Sequence, residues 1–149
     1  MMNRNDATTQ REAVGEDIES LASVVLDGAF AVHRSLGPGL LESVYEACLC
    51  HEMAKRGISH QRQVVLPVTY DGVIVEAGLR LDLLVADRLI VELKAVDALA
   101  PIHTAQVLTY LKLTGYPLGL LLNFNTQHLK DGIRRVVLTS QRRVVVPLR

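Results

Sequence analysis

A chain of 149 residues, 49% apolar and 21% charged, has the size and balance of one globular domain. Its zero formal net charge excludes nucleic-acid binding by bulk charge alone. No apolar run is long enough to span a bilayer and the opening MMNRNDATTQRE lacks a secretory apolar core, so the expectation is a cytoplasmic protein with no membrane partner.

In chain order, residues 1–13 are polar and read as a disordered tail, followed by one domain over 14–149. From Glu16 a helix is predicted, because Ile18, Leu21, Val25, Ala29 and Val32 recur at helical spacing. It stops at LGPG, residues 36–39. A second helix runs from Leu40 to Arg56, with Gly57 past its end and Lys55 and Arg56 suited to the negative end of its dipole. Cys48 and Cys50 on this helix point about 200° apart, so they read as free thiols of a reducing compartment.

Residues 63–72, QVVLPVTYDG, form a strand that ends in an Asp-Gly hairpin turn. Pro67 there calls for an edge position or a bulge. VIVEAGLRLDLLV (73–85) is the second strand, with Gly78 marking a bulge or a close approach. A turn at Ala86, Asp87 and Arg88 leads into a third strand, LIVELKAV. HTAQVLTYLKLTG then makes a helix closed by Gly115, and PLGLLLNF a strand apolar on both faces, hence central. The basic and apolar residues of IRRVVLTSQRRVVVPL give one or two edge strands. The order is α-α-β-β-β-α-β plus a β-rich C-terminal tail: an α/β (α+β mixed) fold, a central mixed sheet flanked by helices.

The charge is uneven. Residues 1–30 carry a net −4, and residues 130–149 a net +5. Arg134, Arg135, Arg142 and Arg143 in the basic end are either phosphate-binding or a solvated face.

Three charges sit where a core hairpin would place aliphatic residues: Asp82, Glu92 and Lys94. Glu92 and Lys94 share a strand face. If Val85 pairs with Leu89, Asp82 falls opposite Glu92, about 5 Å away at Cβ. Two carboxylates that close need a proton, a cation or solvent. Magnesium takes such oxygen ligands together with substrate phosphates, and a cation lowers the pKa of water that it holds. Lys94 beside them would orient a water or neutralise charge on a phosphate. A solvated Glu92–Lys94 ion pair satisfies the same spacing.

Asp82 followed by Glu92-Leu93-Lys94 resembles the signature of the PD-(D/E)XK nuclease superfamily. Gly39-Leu40-Leu41-Glu42-Ser43-Val44-Tyr45 reads G-x-x-E-x-x-Y and is similar to the small GxxExxY proteins of that superfamily. The resemblance covers residues 16–138 and implies a restriction-endonuclease-like core. It implies that Asp82 and Glu92 hold Mg2+ or Mn2+, with the Leu93 backbone carbonyl completing the shell and Lys94 assisting the water. Glu42 is the acidic residue this resemblance draws from the preceding helix. Leu81 stands where the superfamily's name has proline.

On a helical wheel Glu42 falls within the apolar arc, with Leu49 at about 340° and Met53 at about 20° from it. Glu52, at about 280°, is also within that arc, and periodicity does not choose between them. Alternatively Glu42 complements the positive end of its helix. Gln106 and Tyr110 share a face of the next helix and look like the Q-x-x-x-Y element of some nuclease branches, or else form a buried hydrogen-bonded pair. His103 either joins that face or is structural.

The expectation is a nuclease that hydrolyses phosphodiester bonds of nucleic acid, DNA before RNA by superfamily analogy, by a metal-activated water. It would act as a homodimer or with a partner protein supplying affinity. The rivals are a non-catalytic nucleic-acid or protein-binding module on this fold, and a metal-dependent hydrolase of a small phosphorylated molecule.

Overall fold

Asp17 opens the first helix: its Oδ1 accepts the N–H groups of Glu19 at 3.0 Å and Ser20 at 3.2 Å, as an N-cap aspartate does. The structure, a computed structural model, describes residues 17–138 and 143–147. The expected tail at 1–13 and Arg142 lie outside the described residues.

Helix α1 (Ile18–Leu36) ends at Gly37, whose N–H donates to the His33 carbonyl at 2.8 Å. Helix α2 (Glu42–Lys55) follows. Then come β1 (His60–Tyr70), β2 (Val73–Val85), β3 (Leu89–Lys94), helix α3 (Pro101–Thr114) and β4 (Leu118–Asn123). A 3-10 turn (Leu129–Gly132), β5 (Ile133–Leu138) and β6 (Arg143–Pro147) complete the order. The strands lie in the sheet as β1-β2-β3-β4-β5-β6. Among the described strands only β3 and β4 pair in parallel, which requires a crossover, and α3 is that crossover.

Helices α1 and α2 cover one face of this mixed sheet and α3 the other. Leu21, Val25, Leu49 and Met53 of α1 and α2 pack on Leu83, Val91, Leu120 and Phe124. Val107 and Leu111 of α3 pack on Leu81, Ile90, Leu121 and Val136. Strand β4 is buried at every position, as its unbroken apolar run requires.

The sequence-based elements recur with shifted ends. The first strand starts at His60 rather than Gln63, and α2 at Glu42 rather than Leu40. Leu41 is extended instead of helical (ψ 150°) and serves as the N-cap. Pro67 lies on edge strand β1, where the register shifts between Leu66 and Val68. Gly78 lies in the facing irregular stretch; a Cβ there would come within 2.9 Å of Val68 Cγ2. The β-rich tail resolves into the two strands β5 and β6.

Candidate active site

Strands β2 and β3 pair in the expected register, Val85 with Leu89, Leu84 with Ile90 and Leu83 with Val91. The next pair in that register is Asp82 and Glu92, and there the side chains take over from the backbone. The Asp82 N–H donates to Glu92 Oε1 at 3.0 Å, and Asp82 Oδ2 accepts the Leu93 N–H at 3.0 Å. The strands are splayed, and each carboxylate plugs the gap left in the ladder.

Asp82 also marks a change of face. Leu83 and Val85 belong to the core under α1 and α2, whereas Leu79 and Leu81 belong to the core under α3. In an uninterrupted strand residues 81 and 83 would share a face. Strand β1 switches at the facing position: Gln63, between the pairs Arg62–Leu83 and Val64–Leu81, has φ +50°. That left-handed conformation costs a non-glycine residue about 1–3 kcal/mol. The local backbone thus aims the Asp82 carboxylate into the gap between the strands rather than to either face.

Glu92 and Lys94 alternate with Val91 and Leu93, so they point to the α3 side. Glu92 is 3% exposed. Its burial, and then the Asp82 carboxylate within hydrogen-bonding reach, push its pKa from 4.5 up to about 8. Lys94 is half-buried and joins none of the ion pairs among the described residues. It acts on Glu92 through its charge, favouring the ionised form.

Glu42 corrects one expectation. It is exposed, not on the buried face of its helix. It stands at a pocket of ≈ 260 Å³ lined also by Ser43, Glu46, Gln63, Asp82 and Leu93. The buried carboxylate is Glu46, one turn on, which sequence reasoning missed. Glu46 is 6% exposed. It accepts from Arg62 Nη2 at 2.9 Å and Gln63 Nε2 at 2.6 Å, so it pins the strained residue opposite Asp82. The helical wheel held the signal: Glu46 falls only about 40° from Glu42, inside the same arc. Glu52, the other acidic residue of that arc, is tied to Lys55 and Arg56 at the surface.

The flanking motif residues shape the loop before α2. Gly39 has φ +101°, a conformation that favours glycine, and its N–H donates to Asn125 Oδ1 at 3.1 Å. The Tyr45 hydroxyl donates to the Gly37 carbonyl at 2.6 Å and accepts the Leu40 N–H at 3.1 Å. Its ring stacks on Phe124 with centroids 4.6 Å apart. Tyr45 thereby fixes the loop that delivers Glu42 to the pocket.

On α3, Tyr110 is buried and Gln106 exposed. Burial raises the Tyr110 pKa, and the Glu92 and Asp82 carboxylates raise it further, while the polar Gln106 side chain acts the other way. This pair therefore borders the acidic cluster. His103 does not join it. Its Nδ1 accepts the Ala100 N–H at 3.0 Å, which caps the start of α3.

The basic residues of the tail separate. Arg135 forms an ion pair with Glu19 on α1, so it is engaged away from the cluster. Arg134 pairs in register with Leu121, itself the partner of Glu92, two strands or about 10 Å from Glu92. Its Nη1 donates to the carbonyls of Asp131 at 3.1 Å and Ile133 at 2.9 Å. Arg143 begins β6, one strand further out. Cys48 and Cys50 are free thiols, and burial raises the Cys50 pKa.

The donor set suits a hard cation. Among the described residues no three His, Cys, Asp or Glu side chains converge as a ready metal site. What converges is a carboxylate pair with Asp82 Oδ1 and Glu92 Oε2 left for each other or for a shared ligand. The N–H and C=O of one strand residue leave on the same edge. The Leu93 carbonyl therefore also faces the gap where its N–H meets Asp82. Two carboxylates and a carbonyl, completed by water and phosphate oxygens, are ligands of the kind that hold Mg2+ or Mn2+.

Among the described residues no helix is long and apolar enough to cross a membrane. No curated protein and no solved structure matches the chain. The family model of the PD-(D/E)XK nuclease superfamily matches residues 19–136, from the first turn of α1 into β5. By that match, and with a mixed sheet that brings Asp82 and Glu92 together, the chain belongs to the PD-(D/E)XK nuclease superfamily.

Proposed function

We propose that the protein is a metal-dependent nuclease that hydrolyses phosphodiester bonds of nucleic acid. One observation supports this above the others: the Asp82 and Glu92 carboxylates meet at a break in the β2–β3 ladder, with Glu92 buried and its pKa raised to about 8. Such a pair is unfavourable unless a proton or a cation joins it.

In this reading Asp82, Glu92 and the Leu93 carbonyl hold Mg2+ or Mn2+, with Glu42 across the pocket as a further acidic group. The bound ion supplies Lewis acidity toward a phosphate oxygen and lowers the pKa of water. Lys94 donates an N–H toward the attacking water or a non-bridging phosphate oxygen, offsetting the charge that grows there. Glu46 and Gln63 keep Asp82 turned into the gap. Tyr110 and Gln106 wall the α3 side and restrict the water around Glu92.

DNA before RNA follows superfamily analogy, and the same assay decides it. DNA and RNA substrates are incubated with the wild type in Mg2+, Mn2+ or EDTA, beside Asp82→Ala and Lys94→Ala. The expected result is cleavage in either cation, none in EDTA, and severe loss in both variants. Metal-dependent cleavage that survives both substitutions overturns the site. A folded wild type that neither cleaves nor binds the cation overturns the activity.

A further inference from the structure

A second cleft, of ≈ 860 Å³, opens between the end of α1 and the segment that follows β4. That is more than three times the volume of the pocket beside Asp82. His33, Arg34, His128 and Lys130 line it, and Asp131 is its one acidic residue. Among the described residues Arg34 and Lys130 take part in no ion pair, and both are exposed. These cations are therefore free to meet an anion from outside.

The position of the cleft relates it to the carboxylate pair. Strands β3 and β4 run parallel, and Lys94 pairs with Asn123 at their ends. The segment carrying His128 and Lys130 leaves from that same end of the two strands. Asn125 on this segment holds Gly39, three residues before Glu42. The loop that leads to Glu42 in the smaller pocket is thus bonded to the segment that leads into the 127–131 lining of the larger one.

The segment after β4 is also tied down. His33, 9% exposed, binds the Thr126 carbonyl through Nε2 at 2.8 Å. A Cβ on Gly132 would fall 2.4 Å from the Asn123 carbonyl oxygen, so the turn bearing Lys130 is pressed against the end of β4. The backbone that carries Arg34 and Lys130 is thus held in place before a ligand arrives, and only their side chains have to order on binding.

We propose that this cleft binds the phosphodiester backbone of the nucleic-acid strand flanking the bond to be cut, with Arg34 and Lys130 on phosphate oxygens and His128 as a further donor. The proposal rests on the nuclease reading for its substrate. It assigns backbone binding to the end of α1 and the 128–130 segment rather than to the arginines of β5. A chain of zero net charge needs such a local concentration of cations to hold a polyanion.

The test uses the full chain in EDTA, with labelled single-stranded DNA, duplex DNA and single-stranded RNA followed by fluorescence anisotropy across a salt series. The double variant Arg34→Gln/Lys130→Gln is compared with Arg88→Gln/Lys112→Gln, which removes equal charge near the opposite end of β3 and β4. The cleft variant is expected to bind roughly tenfold or more weakly, with a salt slope shallower by about two. In the cleavage assay its KM should rise more than its kcat falls. The control variant should keep the wild-type affinity and slope.

A second readout needs no variant: oligonucleotide added to the wild type should shift the His128 and His33 imidazole resonances. Unchanged binding by the cleft variant, no binding by the wild type, or shifts produced by inorganic phosphate but not by oligonucleotide each overturn the proposal. Binding through the cleft without cleavage in Mg2+ or Mn2+ leaves the cleft standing and removes the nuclease reading. Cleavage with unaltered KM in the cleft variant does the reverse.

Discussion

Asp82 and Glu92 are each a structural part of the other's strand: Glu92 takes the Asp82 N–H, and Asp82 takes the N–H next to Glu92. The carboxylates therefore cannot drift apart unless the strands do. Two acidic groups are held at short range by the fold itself.

The first consequence is a pH dependence. Glu92 has a folded pKa of about 8 against an ordinary 4.5. A raised pKa means that the contribution of this group to stability is fully present below pH 4.5 and is lost as pH rises through 8. The cost at high pH is of the order of a few kcal/mol. Thermal unfolding in EDTA should show Tm falling from pH 5 to pH 9, and Glu92→Gln should flatten that fall. An equal slope in wild type and variant would contradict the assignment.

Divalent cations should reverse the effect. At a hundredfold excess over its Kd, a ligand that binds only the folded state stabilises it by about 2.7 kcal/mol. Mg2+ or Mn2+ at pH 8 should raise Tm in the wild type, and EDTA should return it. Asp82→Asn should abolish the response, as calorimetric titration of the same proteins would verify.

Lys94 is half-buried and has no ion-pair partner among the described residues, so its removal should leave the fold intact. Lys94→Ala should lower kcat by about 10²–10³, the loss typical of one charge-stabilising donor, with little change in Tm. Lys94→Arg should restore only part of the rate, because a planar guanidinium does not place its donors as an ammonium does. Single-turnover cleavage separates this from substrate binding.

Glu42 and Glu46 should behave oppositely. Glu46→Ala strips Gln63 and Arg62 of their shared acceptor and should cost about 1–3 kcal/mol. Glu42→Ala removes an exposed group and should change stability by less than about 0.5 kcal/mol while cleavage falls. Urea unfolding beside the cleavage assay reads both. A stability loss confined to Glu42→Ala would reverse the two roles.

Tyr45→Phe keeps the stack on Phe124 but leaves the Gly37 carbonyl and Leu40 N–H without their partner. The expected cost is about 1–3 kcal/mol. Amide exchange over residues 37–42 should accelerate more than in the rest of the chain.

Much of this architecture was legible in the sequence because its signals are local. The Val73–Val85 strand matched to the residue, because Asp71-Gly72 and the turn at 86–88 bound it on both sides. The apolar run of β4 announced its burial. The meeting of Asp82 and Glu92 followed from one assumed pair, Val85 with Leu89. Glu46 was missed because the G-x-x-E-x-x-Y motif singles out Glu42 from an arc that holds both. The kink in β1 at Gln63 left no composition signal: glutamine gives no warning of a positive φ, and the contact with Glu46 supports it. The environment of Arg135 was equally hidden, since its partner Glu19 lies 116 positions away.

The face change at Gln63 and Asp82 also sets where this chain can vary in length. Beyond it, at the Asp71-Gly72 tip, residues can be gained or lost in facing pairs with no effect on the carboxylates. Between Asp82 and the turn at residues 86–88, a single inserted residue would rotate Asp82 out of the gap and exchange the two cores' share of the strand. Natural or engineered insertions should therefore accumulate at the tip of the ribbon and be absent from its base, so tolerance to indels is itself a map of the site.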